Sequence, residues 1–109
     1  MSGNHDKGVK LLEEEFGAYN FGFTRYIIKK MRIEDQTLII DGINGFTTGK
    51  LLFEDLGNGC VPDERMIGER VFGIKQKELA DDYVLFRIFF DSAEIEYSDI
   101  IARNLIYKL

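Results

Sequence analysis

From Thr24 to Tyr107 the chain has no sequence repeat but alternates short runs rich in β-branched and aromatic residues with clusters of Gly, Asn, Asp, Glu or Ser. That alternation suits strands joined by turns and gives few windows in which a 3.6-residue apolar period could build a helix. In residues 24–33, Ile27, Met31 and Ile33 fall at even spacing, which puts them on one side of an extended strand. Glu34-Asp35-Gln36 then reads as a tight connection into residues 37–41, predicting a hairpin. The glycines and Asn of Gly42-Ile43-Asn44-Gly45 supply positive φ for a turn into a third strand over 46–53. Residues 57–64 form the longest irregular stretch.

Residues 66–75 are read as strand, since Val71-Phe72-Gly73-Ile74 has poor helix propensity. Residues 78–82 make a turn or a short helical break. Residues 83–90 are apolar on both faces apart from Arg87, which predicts a central strand with Arg87 paired to a carboxylate. Asp91-Ser92 turns the chain into an expected strand over 93–98, with Glu94 and Glu96 on one face and Ile95 and Tyr97 on the other. Residues 100–107 are expected to be the last strand. Ahead of all this, Val9, Leu12 and Phe16 share one helical face, so residues 6–16 read as a helix, capped by Asn4 or Asp6 and ended at Gly17. Glu13, Glu14 and Glu15 oppose its dipole, so it needs tertiary packing to persist. The expected fold class is α+β, mainly β: a twisted antiparallel sheet, as a sandwich or partial barrel, with one N-terminal helix in a single domain over residues 1–109.

A chain of 109 residues fits one domain with a modest core. Cys60 is the only cysteine, so no disulfide forms within a monomer, which agrees with a reducing compartment and a cytoplasmic location. No apolar stretch is long enough to span a bilayer. The net charge of −5 repels phosphate backbones at long range, which argues against nucleic acid as a direct ligand and favours a basic protein partner. Oligomeric state is left open.

Chemical motifs are weak. Gly3-Asn4-His5-Asp6 matches a metallophosphoesterase tetrapeptide, but His5 is the only histidine, so no metal site is expected. Residues 44–51 approach a phosphate-binding loop, yet Asn44 and Leu51 stand where Gly and Ser or Thr are required. Cys60 has no base, and Glu54-Asp55, Asp63-Glu64 and Asp81-Asp82 read as solvated loop charges. The expectation is a protein without cofactor or catalytic activity.

The feature that stands out is an acidic edge of Asp91, Glu94, Glu96 and Asp99. On base rates such an edge deters strand pairing; as a functional surface it would dock a basic protein and speed association by electrostatic steering. A smaller basic patch, Lys29, Lys30 and Arg32, is a candidate to pair with it across the sheet. Phe16, Tyr19, Phe21 and Phe23 form a dense aromatic run, either core lining or a binding surface.

Several segments carry a family likeness: Asp35-Gln36-Thr37-Leu38-Ile39-Ile40, Gly45-Phe46-Thr47 leading into Leu52-Phe53, Asp82-Tyr83-Val84 with Phe86, and Ile95-Glu96-Tyr97-Ser98-Asp99. Through them the stretch 23–101 resembles small bacterial immunity proteins of toxin–immunity systems, of the contact-dependent inhibition type. The resemblance implies an inhibitor that binds a cognate toxin, often a nuclease. A nuclease must attract phosphate and is locally basic, so an acidic inhibitor is physically apt. The alternative is a small-molecule-binding or scaffold β domain.

Overall fold

The computed structural model describes residues 16, 19, 21–60 and 62–109, with residues 21–24 described by their backbone alone. Seven strands follow one another: β1 (Phe21–Glu34), β2 (Thr37–Asn44), β3 (Thr47–Glu54), β4 (Arg70–Glu78), β5 (Val84–Phe89), β6 (Tyr97–Ala102) and β7 (Asn104–Lys108). They form one antiparallel sheet in the order β6-β5-β4-β1-β2-β3-β7. Its two outermost strands, β6 and β7, are separated by Arg103 alone. One bent terminal strand therefore pairs with β5 through its first half and with β3 through its second. The sheet must curl until its ends meet, and the Arg103 amide donates to the Glu54 carbonyl at 2.9 Å at the bend. Curling the sheet this way brings its two end strands, each paired on one side, together at Arg103.

Alternation along the strands fills the interior. Tyr26 and Ile28 of β1, Leu38 and Ile40 of β2, Leu51 and Phe53 of β3, Val71 and Ile74 of β4, Phe86 and Ile88 of β5 and Ile100 and Ala102 of β6 form one buried cluster. Phe53 and Phe86 belong to strands that do not pair with each other, and their rings meet edge to face at 5.4 Å across the interior. Two irregularities curve β1: its register slips at Lys29 against β2, and between Gly22 and Tyr26 against β4. Bulges of this kind bend a strand and increase its twist, which a tight barrel requires.

The Asp35–Gln36 hairpin forms as expected, with both residues at positive φ (48° and 62°), matching the right-handed twist of the flanking strands. At Gly42 the expectation fails: β2 continues through it to Asn44, and the turn is Gly45–Phe46. Gly42 serves close approach instead, since a Cβ there would overlap the Tyr26 ring. A Cβ on its ladder partner Gly49 would likewise overlap the Tyr107 side chain, and the Tyr26 hydroxyl donates to the Gly49 carbonyl at 2.9 Å. The irregular stretch carries a short 3-10 turn (Glu64–Met66), and 78–82 includes another (Ala80–Asp82). The expected strand over 93–98 is a turn and bend until Tyr97, because Glu94 adopts a left-handed backbone (φ 59°) that no strand accepts. The expected helix over 6–16 lies outside the described residues apart from Phe16, as does the Gly3-Asn4-His5-Asp6 motif.

Candidate functional site

The outer surface of β4–β5–β6 carries a row of charge set among aromatic rings. Lys75, Arg87 and Asp99 stand side by side across the three strands. The Arg87 guanidinium grips Asp99 with two bonds, Nε–Oδ1 at 2.7 Å and Nη2–Oδ2 at 2.8 Å. The same guanidinium lies 4.0 Å from the Tyr97 ring centroid and 4.7 Å from that of Phe16. The bidentate carboxylate raises the Arg87 pKa, so its charge is permanent. The carboxylate expected for Arg87 is thus Asp99.

Beside this pair, Lys75 Nζ lies 2.9 Å from Glu94 Oε1, and the Tyr19 hydroxyl donates to the same carboxylate. The Tyr19 ring packs edge-on against Phe72 and Phe89, at 5.6 and 6.0 Å. Burial, chiefly, and then the bond to Glu94 push the Tyr19 phenol up to about 12. Glu94 moves the other way: the bond from Tyr19, then that from Lys75, hold its carboxyl below its ordinary range.

At the end of this surface the chain turns a tight corner between β5 and β6. Asp91 organises it, its carboxylate accepting from the amides of Ile95 (2.9 Å) and Glu96 (3.1 Å). The Phe90 amide closes the corner by donating to the Glu96 carbonyl at 2.9 Å. The result is a fixed loop that presents Ile95 (76% exposed) and Tyr97 (46% exposed) to solvent on either side of Glu96. A groove of about 600 Å³ separates this corner from the segment carrying Asp63, Arg65, Met66 and Glu69. Asp63 and Arg65 neutralise one another there: Arg65 holds the Asp63 carboxyl below its ordinary value, leaving Glu69 and Glu96 to set the groove's charge.

Of the four acidic residues singled out in the sequence, the fold gathers all on one side but employs three internally. Asp91 holds backbone amides, Glu94 meets Lys75 and Tyr19, and Asp99 meets Arg87. Glu94 and Glu96 do not share a strand face. Glu96 alone opens onto the groove. The basic patch does not pair with the acidic edge either: Arg32 contacts Asp41 at 2.7 Å and Glu34 at 3.2 Å, both on the far side of the sheet order. Sequence reasoning missed Ile95 and Tyr97 as surface residues because a strand would have turned them inward. The local signal was Asp91-Ser92-Ala93, which favours a side-chain-capped turn over a strand. Glu69 joins the groove only through tertiary folding.

Among the described residues, no group of three His, Cys, Asp or Glu is gathered to hold a metal, and no helix is long and apolar enough to cross a membrane. Cys60 packs against the core, its Sγ 3.5 Å from the Ile101 amide. No family model matches the chain, and neither a curated protein nor a solved structure does. What fold and site define is a small antiparallel barrel with a rigid, partly apolar corner.

Proposed function

We propose that this chain is a protein-binding inhibitor, an immunity-type protein that neutralises a cognate toxin domain by direct contact. The observation that carries the reading is the β5–β6 corner: two exposed apolar side chains, Ile95 and Tyr97, bracket Glu96 on a hydrogen-bonded loop beside an open groove. Preorganised apolar anchors with a charged neighbour suit a protein interface, because little side-chain freedom remains to be lost on binding. Glu96 and Glu69 favour a basic partner, as a nuclease domain would be. Cytoplasmic location belongs to the same reading, with Cys60 reduced.

The alternative, a ligand held inside a curved sheet, gains less support. The barrel interior is occupied by Tyr26, Phe53, Phe86 and their neighbours.

The test is capture with the tagged protein at low and then moderate salt, followed by association kinetics on the partner obtained. A single basic partner should be retained, with Glu96→Lys slowing association and Ile95→Ser speeding dissociation. Equal kinetics for wild type and both variants would remove the corner from the interface.

A further inference from the structure

The opposite outer surface, on β1, β2, β3 and β7 with the start of β4, has a different character. Arg25, Lys29, Lys30, Arg32, Lys50, Arg70 and Lys108 make seven of the fourteen Lys and Arg residues in the chain. They follow the ladder: Arg70 is opposite Ile27, Lys30 opposite Asp41, Asp41 opposite Lys50 and Lys50 opposite Lys108. Asp41 is engaged by Arg32 at 2.7 Å and by Lys50 at 3.6 Å. Arg25, Lys29, Lys30 and Arg70 make no ion pair among the described residues. Lys50 directly opposite Lys108 is a like-charge pair that costs stability on its own. The β1 bulge brings Lys29 and Lys30 to the same groove, of about 480 Å³, with Lys50, Thr48 and the paired Asp41. A second groove, sharing Lys29 and Ile43, continues past Arg25 and Arg70 to Gly45. Next to Gly45, at the tip of the β2–β3 hairpin, the Phe46 ring is fully exposed. The overall charge of −5 does not describe this face.

We propose that this surface binds single-stranded nucleic acid, with backbone phosphates on Arg25, Lys29, Lys30, Lys50 and Arg70 and a base stacked on Phe46. A cationic groove that tracks a backbone, joined to an exposed aromatic ring, is the combination such ligands use. An acidic peptide is a poorer fit, because the exposed Phe46 ring beside the cations supplies a stacking platform that carboxylates do not use. A lipid surface is poorer too, since the cations line grooves and one ring alone projects. The surface is separate from the β5–β6 corner, so this inference and the inhibitor reading stand or fall apart.

Fluorescence anisotropy of a labelled oligothymidylate of about 15 nucleotides tests it. With five phosphate contacts, affinity should drop about 130-fold between about 50 and 200 mM salt. Lys29→Gln with Lys30→Gln should reduce the log–log salt slope by about 1.4. Phe46→Ala should weaken binding about fivefold or more while leaving the slope unchanged. All three positions are exposed, so these variants should fold, and Ile95→Ser should bind the oligonucleotide as wild type does. Absence of binding at low salt would overturn the proposal. So would equal competition by inorganic polyphosphate with no effect of Phe46→Ala, or preferential binding to phosphatidylserine vesicles.

Discussion

The β4–β5–β6 wall and the β1–β2–β3 wall are parts of one sheet, yet they treat charge in opposite ways. On the first, the two cations of the central row each have a carboxylate and a ring: Arg87 meets Asp99 and Tyr97, Lys75 meets Glu94 and Tyr19. On the second, cations outnumber carboxylates, and Asp41 is shared between Arg32 and Lys50 while Lys29 and Lys30 face solvent. The difference teaches that a dense run of one charge sign in a sequence need not be the charge a protein displays. The acidic edge is largely neutralised by its own fold. The quieter basic residues, dispersed over four strands, add up to the open field.

Three tests press on this contrast, and the largest effect is on what the walls share. Phe53 from one wall meets Phe86 from the other inside the barrel. Phe53→Ala should therefore cost about 3–5 kcal/mol, through lost burial and the cavity left behind. Urea unfolding followed by far-UV circular dichroism and tyrosine fluorescence should show one transition moved to lower urea. Two separated transitions would mean that the walls are independent units, and the comparison would then be between two folding units rather than two faces of one.

The second test separates charge that stabilises from charge that waits for a ligand. Arg87→Ala removes a bidentate bond and a cation–ring contact. It leaves Asp99 without its partner, and because both side chains keep some solvent contact the expected loss is roughly 1–2 kcal/mol. Lys30→Ala on the other wall should stay within about 0.5 kcal/mol of wild type. Similar losses at the two positions, measured by the same urea titration, would erase the distinction between the walls.

Much of the fold was legible because strands announce themselves locally. The 35–36 hairpin and the apolar strand around Arg87 are recognisable from periodicity and turn residues. That strand lies next to the end of the sheet order rather than centrally, and the single strand expected over 100–107 is two, β6 and β7, divided at Arg103. Barrel closure was not legible, since it depends on one strand bending at Arg103 to serve both ends of the sheet. Gly42 misled for a related reason: in isolation a glycine signals a turn, but here it makes room for the Tyr26 ring from a neighbouring strand. At the candidate site, the acidic residues were visible in sequence but their partners were not. Lys75 and Tyr19 reach Glu94 from positions 19 and 75 residues away. Glu94 itself was placed on a strand because propensity says nothing of the Asp91 carboxylate that holds the corner.

The smallest and most specific test follows the titration of that paired wall. Glu94 has its carboxyl lowered from 4.5 by Tyr19 and Lys75, so its contribution to stability is present above pH 4.5 and is lost as pH falls through the lowered value. Tyr19 is raised from 10.0 to about 12, so its contribution is present below pH 10 and is lost as pH rises from 10 towards 12. Stability carried by this contact should therefore be flat between the two limbs. NMR titration of the Glu94 carboxyl carbon and the Tyr19 ring reads both limbs directly. Tyr19→Phe should abolish the alkaline limb and move the Glu94 midpoint up towards 4.5, because the first cause of its depression is the phenol's hydrogen bond. Lys29→Gln with Lys30→Gln, on the opposite wall, should alter neither limb. If Glu94 in the wild-type protein titrates at 4.5, its carboxylate is not held by Tyr19 and Lys75, and the acidic edge is as open to a partner as the cationic face.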